Sequence, residues 1–166
     1  MIVPSAPSAA APLVVTAAPP PPPCAPIARA CVSLSANRAW LLRRGVPDYG
    51  PVPIAHGTPA SPTPTGRFTV SWRDRDNTSS VYGTPMPYSV FFAPGGIAFH
   101  GDDVRTASHG CVHLPMALAR VFFNRLRPGE VVQVVPWRDR ATPELSTTAR
   151  VVHSSRLTSL FVRGGR

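Results

Sequence analysis

Ser108-His109-Gly110-Cys111-Val112-His113 places an imidazole two residues to either side of a thiol, with a glycine directly before the sulfur. A third imidazole, His100, stands eleven positions upstream of Cys111. Three chemistries fit such a cluster: a metal site, a buried thiol with incidental neighbours, and a nucleophile with its base. A cysteine attacks as thiolate, so it needs an adjacent imidazole or a cluster of backbone N–H groups to favour loss of its proton. Both lie within reach of Cys111. Gly110 permits a turn that a side chain would block, and consecutive amides in that turn can bind an oxyanion. Residues two apart in extended chain sit roughly 6.6 Å apart, which leaves His109 and His113 poorly placed as bases for Cys111. His100 ends a separate extended run and can approach from an adjacent strand. The residues therefore assign His100 as base, His109 as a site-shaping or proton-relay residue, and His113 as a substrate-side polar group. Asp102 and Asp103 are alternative orienters of the base.

Zinc is the serious rival, because His100, Asp102, His109, Cys111 and His113 could supply the four ligands of a tetrahedral site. Paired Cys-x-x-Cys or His-x-x-x-His spacings are missing, which argues against a structural zinc site, and no metal or cofactor is expected. The blander reading of a lone cysteine is a small buried hydrophobe. His56 and His153 are read as surface or satisfied core residues, although His56 before Gly57 could line a cleft.

These residues need strands and a turn to position them. "ACVSL" and "AWLLRR", separated by "SAN", predict a hairpin. "GPVPIAHG" is a third extended run, whose prolines confine it to an edge or a strand end. "GRFTVSWR" alternates, with Phe68, Val70 and Trp72 on one face. "DRDNTSSVYGTPMP" reads as a long polar loop. "YSVFFA" and "GIAFH" are strands joined by Pro94-Gly95-Gly96, and "VVQVV" is a last strand. One helix is predicted, with Pro115 at its first position and an apolar stripe at Leu118, Ala119, Phe122, Phe123 and Leu126. Pro128-Gly129 stops it, and Arg125 and Arg127 sit near its negative end. The fold class is mainly β with one principal helix after the cysteine motif.

The chain has 166 residues, enough for one domain with a real core. Residues 1–28 hold nine of the 22 prolines and no charged side chain, so they read as an extended stalk. "SAAAPLVVTAAP" has the small residues of a signal-peptide cleavage region without a positive n-region, and reads as the remnant of a secretion signal starting upstream of Met1. Residues 138–166 are left as an extension of unclear structure. The net charge is +9, carried by seventeen arginines without one lysine. The arginines are scattered, which argues against nucleic-acid recognition, though a basic chain associates with polyanions such as acidic wall polymers. No apolar stretch reaches the ~20 residues of a membrane-spanning helix. Cys24 and Cys31, close together at the stalk-to-domain junction, are expected to form a bridge in an exported protein, leaving Cys111 free.

"TPTG-RF" at Thr63–Phe68, "MPYSVFF" at Met86–Phe92, "AFHG" at Ala98–Gly101 and "SHGCVHL" at Ser108–Leu114 occur in order. Together they resemble the L,D-transpeptidase catalytic domain, the YkuD-like family of bacterial cell-wall enzymes, over about residues 29–137. The resemblance implies a β-sandwich or barrel-like domain acting on peptidoglycan stem peptides. Carried over residue by residue, Cys111 matches the nucleophile, His100 the base and His109 the second motif histidine. The amides of His109, Gly110 and Cys111 match the oxyanion hole, and the Gly101 carbonyl the orienter of the base. Met86 and Tyr88 match residues lining the donor cleft, with Ser108 and His113 also on the substrate side. Such enzymes attack the bond after the L-centre of the third stem residue, release the terminal D-alanine, and pass the acyl-thioester to an amine. Carbapenems acylate the same cysteine in many members.

This sequence departs from the family in two places. His113 stands where arginine or asparagine is commoner, and the short His100–Cys111 interval implies a reduced lid. No wall-binding repeat or immunoglobulin-like domain accompanies the motifs in this sequence. The expectation is an extracytoplasmic, monomeric cysteine L,D-transpeptidase. Alternatives are an L,D-carboxypeptidase or thiol amidase with water as acceptor, and a non-catalytic wall-binding module.

Overall fold

A computed structural model describes residues 22–136. Most of the proline-rich stalk, His153 and the 138–166 extension lie outside the described residues. Within them the chain forms nine strands and one helix. The first hairpin joins β1 (Ala30–Ser33) to β2 (Arg38–Arg43). Asn37 takes the left-handed conformation at its turn, φ 50°, and donates its N–H to Leu34 O, a conformation asparagine tolerates better than most residues. Arg44 and Gly45, both at positive φ, turn the chain into β3 (Val46–Pro53), the mirror-image turn that suits strand twist. β4 (Gly66–Thr69), β5 (Trp72–Thr78), β6 (Pro85–Ala93), β7 (Ile97–Gly101) and β8 (Val112–Leu114) follow, then α1 (Met116–Arg125) and β9 (Val131–Val135).

The strands form two sheets, ordered β3-β2-β1-β9-β4 and β5-β6-β7-β8. β3 lies at a sheet edge, where its prolines leave no ladder bond unmade. β9 lies between β1 and β4, parallel to the first and antiparallel to the second. A common core fills the space between the layers. Val32, Leu41 and Val134 come from the first sheet, Val90, Phe99 and Leu114 from the second, and Phe122 and Leu126 from or beside the helix. Phe99 anchors it, with ring centroids 4.8 Å from Phe92 and 5.3 Å from Phe122, the spacing of favourable aromatic pairs.

Two expectations are corrected. "GRFTVSWR" is not one strand. The chain leaves the first sheet after Thr69 and enters the second at Trp72. Phe68 and Val70 stay with the core, while Trp72 stacks on Phe91 at 4.0 Å on the opposite face of the second sheet. The "long polar loop" is a loop only in its middle: its first residues, 74–78, belong to β5 and its last, 85–87, to β6, the two strands pairing from Trp72↔Phe91 to Thr78↔Pro85. β5 is polar because it is an edge strand with much of its surface in water.

The helix begins at Met116, one residue later than expected, with Pro115 as its N-cap. Ala119, Phe122 and Leu126 form its buried stripe. Its C-terminal carbonyls receive a cation that spacing alone did not reveal. Arg73 of β5 donates from Nη1 to Phe123 O (2.6 Å) and Leu126 O (3.0 Å), with its guanidinium 4.8 Å from the Phe123 ring centroid. Cys24, ahead of β1, and Cys31, within it, form a disulfide. With Ala25 N–H donating to Gln133 Oε1 (2.9 Å), it fastens the segment before β1 to the first sheet.

Candidate active site

The second sheet has one face on the core and one on a cleft of about 850 Å³. Strand alternation decides which side chains reach the cleft. In β8, Val112 and Leu114 point into the core, which turns His113 to the cleft. In β7, Phe99 points into the core, which turns Ala98 and His100 outward. β7 and β8 run parallel with His100 opposite His113, so the two imidazoles meet, centroids 4.7 Å apart and edge to face.

His100 is 4% exposed. Its Nδ1–H donates to Gly101 O at 3.3 Å, which leaves Nε2 as the nitrogen available to the cleft. Burial pushes its pKa below the usual imidazole range, with His113 adding to the effect. The Gly101 hydrogen bond and Asp102 oppose this.

Cys111 precedes β8 in the turn and is the chain's one free thiol. It packs against Met86, Phe91 and Ala98 on the cleft face and makes a long contact, 3.8 Å, to Gly96 O. Burial pushes the thiol pKa up, and the Ala98 backbone hydrogen bond partly counters this. No hydrogen bond joins the sulfur to an imidazole among the described residues.

The turn is over-determined by its neighbours. Gly110 has φ +117°, and a Cβ there would sit 2.7 Å from Ile97 Cδ1, so only glycine fits without displacing its neighbour. Ser108 accepts the Gly110 N–H at 3.0 Å and donates its hydroxyl to Cys111 O. Ser108, expected on the substrate side, thus spends its hydroxyl inside the turn. The Gly110 amide, expected among the oxyanion donors, is also engaged there.

Residues 55–63 stitch the turn from outside. Ala55 and His113 exchange backbone hydrogen bonds, and Ser108 N–H donates to His56 O. Thr63, 3% exposed, accepts the Gly57 N–H and donates to Gly110 O at 2.8 Å. Gly57 runs so close that a Cβ would lie 2.1 Å from Ser61 O. Thr63 falls inside "TPTG", but only the fold shows what its hydroxyl holds. Thr63→Val keeps the shape and strands two backbone groups, each costing on the order of 1–3 kcal/mol when buried and unpaired. Thermal denaturation should show a clear fall in Tm for Thr63→Val and little change for Thr63→Ser. Equal melting of all three would refute the clamp.

Three further placements differ from expectation. Tyr88 is not in the cleft. It has φ +58°, which breaks the alternation in β6, so Met86 faces Cys111 while the Tyr88 ring packs edge-on against Phe123, 5.8 Å away. His113 is 7% exposed and has little surface to offer a substrate. Its Nδ1–H donates to Thr106 O at 3.2 Å and its Nε2 lies 3.5 Å from Asp102 Oδ2. Asp103, the other proposed orienter, is held by Arg105, which keeps its carboxyl below the usual range.

His109 is exposed and lines the cleft, stacked on Tyr82 at 4.5 Å. Tyr82 sits in the β5–β6 connection, so that hairpin tip lines the cleft together with the short 101–108 segment. Sequence reasoning passed over Tyr82. An exposed aromatic in a polar stretch was the available signal. His56 lies against the Gly57 and Leu34 carbonyls, 2.9 and 3.2 Å away, in a structural role. Of the five potential zinc ligands, His100, Asp102 and His113 bring ligand atoms within 4.8 Å of one another, while Cys111 and His109 stand outside the group.

The family model of the L,D-transpeptidase catalytic domain, YkuD, matches residues 27–134. This chain belongs to that family. Its fold is similar to an L,D-transpeptidase from Stackebrandtia nassauensis, at 24% identity and TM-score 0.62, covering 66% of this chain and 56% of that one. It is also similar to LdtMt1 in complex with imipenem, at 26% identity and TM-score 0.58, covering 63% and 56%. L,D-transpeptidase 3 from Mycobacterium tuberculosis with a faropenem-derived adduct matches at 24% identity and TM-score 0.56, covering 63% and 58%. The chain thus spans little more than half the length of these relatives. No curated protein sequence matches it.

Proposed function

We propose that this chain is a cysteine-dependent L,D-transpeptidase acting on peptidoglycan stem peptides outside the cytoplasm. The observation that carries the reading is the shared cleft. The chain's one free thiol lines it with His100, whose Nδ1 is tied to a carbonyl so that Nε2 is left to take a proton. The disulfide supports the oxidising compartment.

In the first half-reaction Cys111 Sγ attacks the carbonyl carbon after the L-centre of the third stem residue, and His100 Nε2 takes the thiol proton. The oxyanion faces the amides of His109 and Cys111. Collapse breaks the C–N bond, and His100 returns the proton to the departing D-alanine amine. In the second half-reaction an acceptor amine gives its proton to His100 and attacks the thioester, restoring the thiol. Trp72, Val81 and Tyr82, each exposed on the cleft rim, give the acceptor stem an apolar ledge.

Burial raises the thiol and lowers the imidazole, and both shifts favour a neutral resting pair. The base works only unprotonated, so acylation should fail on the acid side of a pH lower than the ordinary 6.5. A rate–pH profile whose acid limb falls at or above 7 would contradict this arrangement.

The direct test uses a stem tetrapeptide with a D-amino acid as acceptor and reads the products by mass spectrometry. Exchange of the terminal D-alanine supports transpeptidation. Free tripeptide alone would assign hydrolysis instead, and no turnover of the stem would remove the enzymatic reading.

A further inference from the structure

The parallel register of β7 and β8 does more than bring the proposed base into the cleft. It pairs two histidines, with a carboxylate one residue beyond the strand end. We infer that His100, Asp102 and His113 form a site for a divalent transition-metal ion of the Zn²⁺ class, and that an ion there withholds His100 from proton transfer. The second half of this inference rests on the proposed role of His100.

Three observations carry it. One ligand atom from each residue lies within 4.8 Å of the others. Zinc–nitrogen and zinc–oxygen bonds of about 2.0–2.2 Å set tetrahedral donors roughly 3.4 Å apart, and His113 Nε2 already lies 3.5 Å from Asp102 Oδ2. Asp102 is exposed, with 47% of its side chain accessible, so its carboxylate can swing to complete the contraction.

Second, each imidazole commits its Nδ1–H to a backbone carbonyl, His100 to Gly101 O and His113 to Thr106 O. A carbonyl only accepts, so both rings hold the proton on Nδ1 and offer the Nε2 lone pair. That is the outer-shell support that metal-binding histidines ordinarily have.

Third, the neighbouring charges leave the group intact. Asp103 is taken by Arg105 through contacts of 2.9 to 3.2 Å, so Asp102 is the carboxylate left to the histidines. Two neutral imidazoles and one carboxylate suit Zn²⁺, with a fourth position open to water from the cleft. Such an ion occupies the Nε2 that would otherwise receive the Cys111 proton.

The test uses metal-free full-length chain, equilibrium dialysis against Zn²⁺, and elemental analysis. Wild type and Cys111→Ala should each take up one ion. Asp102→Asn and His113→Asn should bind at least tenfold more weakly, with unchanged circular dichroism. Zn²⁺ should also slow carbapenem acylation of wild-type Cys111, a chelator should restore it, and Asp102→Asn should resist the effect. Loss of the ion in Cys111→Ala, with retention in Asp102→Asn, would overturn the site in favour of a thiol-bound metal. Stoichiometric binding through Asp102 and His113 without slowed acylation would overturn the inhibitory role. A chain that takes up zinc through these residues yet never acylates would contradict the proposed function and the inhibitory role, and uphold the site.

Discussion

Cys111→Ser should abolish acyl transfer, lowering the rate of D-alanine release from a stem tetrapeptide by about 10³-fold or more, as loss of a covalent nucleophile does. The size of the effect follows from proton affinity. A serine hydroxyl holds its proton far more tightly than a thiol. The proposed base, His100 in the same cleft, is an imidazole whose own affinity is reduced by burial. A weakened base can accept a thiol proton while sulfur attacks, but it has little driving force to take one from an alcohol. The substitution is nearly isosteric in a pocket of Met86, Phe91 and Ala98, so the fold should survive. Single-turnover D-alanine release by wild type and variant measures it. A serine variant within tenfold of wild type would move the nucleophile elsewhere.

His100→Ala should cost about 10²–10⁴-fold in acylation, the usual range for a lost general base, while His109→Ala should cost much less. Position makes the difference. His100 is buried and its ring is locked by Gly101 O, so its Nε2 is held in one place. His109 is exposed, and its ring is engaged with Tyr82. Asp102→Asn should leave metal-free acylation nearly unchanged, because Asp102 contacts His113 and the Gly101 carbonyl orients the base. The reverse ranking, with His109→Ala inactive and His100→Ala near wild type, would refute the assignment. A steep loss in Asp102→Asn would shift the orienting role from the carbonyl to the carboxylate.

Local pattern made much of this molecule legible. Of the stripe Leu118, Ala119, Phe122, Phe123 and Leu126, Ala119 and Phe122 are the buried face of α1, Leu126 is its buried C-cap, and Leu118 and Phe123 are partly buried against the same core. "VVQVV" is β9 residue for residue, and the cysteine spacing correctly paired Cys24 with Cys31. The four motifs pointed to the family before any fold was in view. What escaped was set by long-range pairing. The β1–β9 register joins residues a hundred positions apart, and no local signal encodes it. Trp72 continues an alternating run, yet the chain changes sheets just before it. Tyr88 was misplaced because one left-handed residue inverts the faces of a strand whose alternation looks unbroken. His113 read as a substrate contact because spacing relates it to Cys111, whereas the fold relates it to His100 and Asp102. Ser108 and Thr63 were visible as motif letters, but the bonds their hydroxyls make inside the turn were not.

The central claim is that Cys111 is a nucleophile presented to the cleft, and carbapenem labelling followed by peptide mapping tests it most directly. After incubation with imipenem the intact chain should gain the mass of one ring-opened molecule. Digestion should place that mass on the peptide containing Cys111, and Cys111→Ser and His100→Ala should gain none on the same timescale. An adduct on any other residue, or a wild-type chain that stays unmodified at saturating carbapenem, would contradict the account.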